Sequence, residues 1–175
     1  WTRWIKIFKN MRELRRKQGK NLWINFTCYV TPSPWWLQYV NSIWLQNSSD
    51  IGFAQNYPEG EQAQVDSEIT YRDGIYYDFA VKRGLQFPFS NIYNHEPIYG
   101  REAHLDYTDA EFEKAFFWNA CRGAALNELY ISSSMMNEEK WQILTRVINW
   151  QKTNYHILRN AMFIGGNPVE NNVYC

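Results

Sequence analysis

The chain has 175 residues, enough for one domain with a sizeable core and too few for two ordinary ones. Eighteen Lys and Arg balance eighteen Asp and Glu, so the basic excess on which nucleic-acid affinity usually rests is missing. Aromatic residues make up 18% of the chain, and that much apolar ring area excludes disorder.

No apolar run approaches the roughly 20 residues of a bilayer-spanning helix, and no basic-then-apolar segment opens the chain as a signal peptide would. A soluble protein without a membrane partner is the expectation. The chain starts at Trp1 rather than at a methionine, which raises processing or truncation. Three scattered cysteines, an odd number, form neither a disulfide framework nor a metal-ligand spacing.

Apolar residues at Trp1, Trp4, Ile5, Phe8, Met11 and Leu14 have the spacing of one helical face, predicting an amphipathic helix from Trp1 to Gln18. Arg12, Arg15, Arg16 and Lys17 suit the negative end of its dipole, and Gly19 suits the position just beyond it. Leu22 to Val30 is a short, nearly continuous apolar run of strand-favouring residues, as in a strand buried on both faces of a parallel sheet. Ser33 before Pro34 predicts a capped short helix to about Asn41, and Ile43 to Ser48 a second strand ending at Ser49 and Asp50.

A polar stretch from Ala54 to Ser67 reads as a surface loop. Ser67 caps a helix that runs to Lys82 and Arg83 and stops at Gly84. Leu85 to Ile92 is a strand with a defect or an edge at Pro88, and it leads to His95 and Glu96. Thr108 and Glu111 form a capping box ahead of a helix closed by Gly123. Ala125 to Ser132 is a fourth strand. Asn137 caps a last long helix with Trp141, Leu144, Val147, Ile148, Tyr155 and Leu158 on one face.

A helix followed by four strand-then-helix units implies an α/β fold with a parallel sheet and right-handed crossovers. An open doubly wound sheet and part of a (β/α)8 barrel both fit. A complete barrel takes about 250 residues, so about half of one is expected. No glycine-rich phosphate loop follows any strand, which weakens the nucleotide-binding form of the open sheet.

Barrel chemistry gathers where strands end. Those places carry Thr27 and Cys28, Ser49 and Asp50, His95 and Glu96, and Glu128 with Ser132. Carboxylates at three of the four suit glycoside hydrolysis, in which one acid protonates the leaving oxygen and a second carboxylate attacks the sugar. Asp50 as a helix cap is the alternative. Arg72 and Asp73 form either an outward charge pair or a group pointing back to Asp50. His95 and Glu96 have no third ligand at a useful spacing, so no metal and no cofactor is expected. Trp35, Trp36 and Trp44 are either core or platforms for stacking on a sugar. Two glycosylation patterns, at Asn25 and Asn47, fall in expected buried strands and are discounted.

The order of these motifs resembles the C-terminal half of the catalytic barrel of the retaining α-galactosidase and α-N-acetylgalactosaminidase superfamily, above all its bacterial enterotoxin-named branch. Thr27-Cys28 resembles the pair that lines the family's sugar site at the fifth strand. Asn47-Ser48-Ser49-Asp50 resembles the sixth-strand motif whose aspartate is the general acid/base. Arg72, Phe87-Pro88 and His95 follow in the family's order, and Asn137 to Asn160 resembles its final barrel helix. The resemblance implies that residues 1–160 are the last four β/α units of a TIM barrel and residues 161–175 the start of a C-terminal β-domain. It makes Asp50 catalytic, with Thr27, Cys28, Trp44, Arg72, His95 and Glu96 around the substrate. It implies a secreted or periplasmic bacterial protein.

Tyr29, Val30 and Thr31 replace the family's glycine-rich turn, which leaves the sugar open. The family's nucleophile, an aspartate on the fourth strand, falls before Trp1. The expected partners are a carbohydrate substrate and a missing barrel half or second chain that covers the sheet edges. The alternatives are a non-catalytic carbohydrate-binding or scaffold module, and a different barrel enzyme whose acid is Glu96 or Glu128.

Overall fold

The computed structural model describes residues 1–26, 33–44, 69, 73–74, 77, 82, 84, 88–94, 98–99, 106–124, 126–127 and 129–161. Helix α1 spans Thr2–Lys17 and ends as its glycine predicts, with Gly19 at φ 66°. Its buried residue, Phe8, meets Phe26 at 5.3 Å between ring centroids, and Phe26 in turn meets Trp36 at 4.6 Å. Arg12 fastens the helix from the side: its guanidinium donates to the Tyr39 carbonyl at 3.1 Å and to Asn41 Oδ1 at 2.9 Å. The same Asn41 oxygen accepts the Ile24 N–H at 2.9 Å, so one amide ties α1 to the sheet.

Four short strands form a parallel sheet: β1 (Asn25–Phe26), β2 (Ser42–Trp44), β3 (Ile92–Asn94) and β5 (Leu126–Asn127), in the order β1-β2-β3-β5. Phe26, Ile43 and Ile92 are buried in it beside Trp36 and Val40. Strands β4 (Ile98–Tyr99) and β6 (Tyr130–Ile131) form a separate parallel pair.

Helix α2, Asp109–Cys121, starts at the expected capping box, in which the Thr108 N–H donates to Glu111 Oε2 at 2.9 Å and Glu111 N–H to Thr108 Oγ1 at 3.4 Å. Helix α3, Glu138–Leu158, starts at Asn137, whose Oδ1 accepts the Lys140 N–H at 2.7 Å. The two helices pack on each other through Phe112, Phe116, Ala120, Ile143, Leu144 and Val147. Trp141, expected on the packed face, is exposed, and the buried stripe of α3 begins instead at Lys140 and Ile143.

These findings correct the partial (β/α)8 barrel. The leading helix precedes every strand as expected, but among the described residues the strands are only two or three residues long and fall in two separate sheets. The β1-to-β2 crossover holds a five-residue 3-10 helix, Pro34–Gln38, capped by Ser33. With proline at its first position, this five-residue 3-10 helix is shorter and more tightly wound than the α-helix of a barrel unit. The expected fourth strand is two strands in different ladders, β5 and β6, and within the expected strand at Leu85 to Ile92 the described residues Phe89–Asn91 form a 3-10 turn ahead of β3. The result is a small parallel sheet with flanking helices and a separate two-stranded ladder, not four successive barrel units.

Of the expected helix ending at Gly84, the described residues Ile69, Asp73, Gly74 and Tyr77 are helical, and Gly84 has φ 72°. The expected second domain, 161–175, lies outside the described residues apart from Ala161.

Candidate functional site

Because the four strands of the main sheet run the same way, their carboxyl ends share one edge. Such an edge is where open α/β sheets take ligands. Register sets Trp44 beside Tyr93 and Tyr93 beside Leu126, and one residue further on it sets Asn94 beside Asn127. The Trp44 ring is half-buried and meets the Tyr93 ring edge-on, with centroids 6.3 Å apart.

Of Asp50 and the residues expected to surround the substrate, Trp44 is the one among those described. Thr27, Cys28, Asp50, Arg72, His95 and Glu96 lie outside them, as does Glu128. In the chain, Thr27 directly follows the last residue of β1, His95 the last of β3 and Glu128 the last of β5.

Asp73 does not face outward as one half of a surface charge pair. It is buried, and its Oδ2 accepts the Trp118 indole N–H at 2.8 Å while Oδ1 accepts Arg122 Nε at 2.8 Å. The carboxylate therefore clamps its helical turn to α2. Trp36 is core, and Trp35 is exposed against it. Asn25, in a glycosylation pattern, uses its Oδ1 to accept the Ser42 hydroxyl at 2.9 Å inside the sheet.

Reasoning from sequence missed a cleft of about 430 Å³ between α2, α3 and β5. Phe116, Leu144 and Val147 supply apolar wall, and Asn119, Asn127 and Tyr155 supply polar atoms. Asn127 Oδ1 is buried without a hydrogen-bond partner, a costly arrangement for an amide oxygen. Burial pushes the Tyr155 phenol above its ordinary range, against the opposing pull of Arg159. The available signal was an asparagine inside the apolar run at Leu126, where a buried strand favours apolar side chains. Asn127 belongs both to this cleft and to the carboxyl edge of the sheet.

No group of three or more His, Cys, Asp or Glu among the described residues is placed to hold a metal ion. The chain matches no family model, no curated protein and no solved structure.

Proposed function

We propose that the carboxyl edge of the parallel sheet is a carbohydrate site, and that the chain contributes the general acid/base to a retaining hydrolase of α-linked galactosides or N-acetylgalactosaminides. Asp50 protonates the leaving glycosidic oxygen and later takes a proton from the attacking water. Thr27, Cys28, Trp44, Arg72, His95 and Glu96 surround the sugar. The nucleophile comes from outside these 175 residues, at the separation of about 5–5.5 Å that retaining carboxylate pairs need.

One observation carries this reading. The strands β1, β2, β3 and β5 are parallel and lie side by side in that order, so the segments opening at Thr27, His95 and Glu128 all begin from one edge of the sheet. Asp50 belongs to the segment that follows β2, six positions after Trp44. A barrel is no part of this proposal.

The test is turnover of an aryl α-galactoside by the longest open reading frame that contains the chain, with and without Asp50→Asn. A loss of several orders of magnitude supports the acid/base role, as removal of one member of a catalytic pair gives. Unchanged turnover of a substrate with a poor leaving group sinks it.

A second reading, a non-catalytic carbohydrate-binding module, is favoured by the Trp44–Tyr93 pair, since an aromatic ring at a sheet edge can stack on a sugar without any catalytic group. Sugar binding that survives Asp50→Asn, with no turnover by the longer chain, selects it.

A further inference from the structure

We propose that α1 docks on the surface of an anionic lipid bilayer, with one stripe of apolar side chains entering the interface and basic side chains meeting the headgroups. Two apolar stripes run along this helix. The inner one, through Phe8, packs on Phe26 and the sheet. The outer one is Ile7, Met11 and Leu14, at the four- and three-residue spacing that keeps a line on one helical face, with Trp4 at its border, where the ring also meets Phe8 at 5.8 Å and Phe26 at 5.6 Å. Ile7, Met11 and Leu14 are 45%, 41% and 58% exposed and Trp4 38%, where helix neighbours of a satisfied core would be covered.

Charge decides what covers the stripe. Helix α1 holds seven of the eighteen basic residues and one of the eighteen acidic ones, so a chain of zero net charge carries a strongly positive helix. Glu13, the one acid, is already occupied by Arg16 at 3.0 Å and Lys17 at 3.6 Å. Arg3 and Lys6 make no ion pair among the described residues. A second copy of the chain would set two such helices against each other and meet like-charge repulsion. An anionic surface meets attraction, and a basic helix with an apolar stripe is the form that lies in a membrane interface.

Tryptophan placement points the same way. Trp1 is 70% exposed and Trp35 41%, and both rings pack edge-on against Trp36, at 4.9 and 4.7 Å. With Trp4 they gather exposed indoles at one end of α1, and indole is the side chain most enriched at membrane–water boundaries. Among the described residues no helix is long and apolar enough to cross a membrane, so the contact is with a surface.

The experiment is co-sedimentation with vesicles of pure phosphatidylcholine and of phosphatidylcholine with phosphatidylglycerol, alongside tryptophan fluorescence with brominated acyl chains as quenchers. The full chain binds the anionic vesicles, its emission shifts to the blue and is quenched, and added salt weakens binding. Ile7→Glu with Leu14→Glu lowers the partition coefficient by roughly tenfold or more. Arg3→Glu with Lys6→Glu, which touches no apolar residue, does the same by roughly tenfold or more through charge alone. Far-ultraviolet circular dichroism of each variant verifies that the helix persists. Equal binding to neutral and anionic vesicles overturns the proposal, as does undiminished binding by both folded variants. A dimer in sedimentation velocity that Ile7→Glu abolishes, without vesicle binding by the parent chain, also overturns it and assigns the stripe to self-association.

Discussion

Asp73 and Arg122 meet as a buried ion pair 2.8 Å apart, with side chains 3% and 9% exposed. Both partners also hold other groups: Asp73 accepts the Trp118 indole, and the Arg122 guanidinium donates to Asn119 Oδ1 at 3.3 Å. Removing one partner leaves the other charged and poorly solvated. Asp73→Ala or Arg122→Ala is expected to cost about 3–5 kcal/mol, read from urea denaturation midpoints. Replacing both together with apolar residues of similar volume is expected to cost far less than the sum of the two single changes.

Gly19 and Gly123 both take positive φ, at 66° and 74°, yet they differ in what surrounds them. A Cβ on Gly19 meets nothing within 4 Å, whereas one on Gly123 runs into the Leu158 carbonyl and comes to 3.2 Å from the Ala161 Cβ. Gly19→Ala is expected to cost about 1 kcal/mol, the left-handed strain alone. Gly123→Ala adds a clash with backbone at the end of α3 and is expected to cost about 3 kcal/mol or more. Thermal melts of the two variants make the comparison.

The N-termini of α2 and α3 are joined at Asp109, whose Oδ1 accepts Lys140 Nζ at 2.8 Å and Asn137 Nδ2 at 3.0 Å. These bonds, the Lys140 bond first, hold the Asp109 carboxyl below the ordinary carboxylate range. A folded pKa below the unfolded value of about 3.9 gives stability that is present above that pH and is lost as the pH falls through the lowered value. Denaturation midpoints measured from neutral pH into acid are therefore expected to fall less steeply for Asp109→Asn than for the parent chain below about pH 4.

Thr108 supplies both a cap oxygen to Glu111 N–H and a hydroxyl donor to Glu111 Oε2 at 2.7 Å. Thr108→Ala is expected to cost about 1 kcal/mol, and Thr108→Ser much less, because serine keeps the capping oxygen. Chemical denaturation distinguishes the two.

The parts of this fold legible in the sequence are those written in local chemistry. The capping box at Thr108 and Glu111, the cap at Asn137, Ser33 before Pro34, and the glycines after α1 and α2 each act within one helical turn, and each marks its helix end. Strand ends are less legible, because an apolar run shows burial without showing pairing. Ala125 to Ser132 reads as one strand, but Leu126–Asn127 pairs with β3 and Tyr130–Ile131 with β4. A count of barrel units taken from such runs carries the same fault, and the helix described between β1 and β2 is a five-residue 3-10 helix.

Of the candidate site, Trp44 lies at the carboxyl edge, while the carboxylates expected there lie outside the described residues. The clamp on Asp73 was unreadable because its partner is 49 residues away, and nothing in a Tyr-Arg-Asp-Gly segment names Arg122. The unpartnered oxygen of Asn127 was equally hidden, since one asparagine in an apolar run looks the same whether or not its amide is satisfied.

The claim that the carboxyl edge of the sheet takes a sugar is tested most directly by nuclear magnetic resonance of the nitrogen-15-labelled chain during titration with methyl α-galactoside and methyl α-N-acetylgalactosaminide. A saturable shift of the Trp44 indole N–H, together with backbone amides at the ends of β2, β3 and β5, is the predicted result. A spectrum unchanged by either sugar, or shifts confined to α1 and the far side of the sheet, contradicts it.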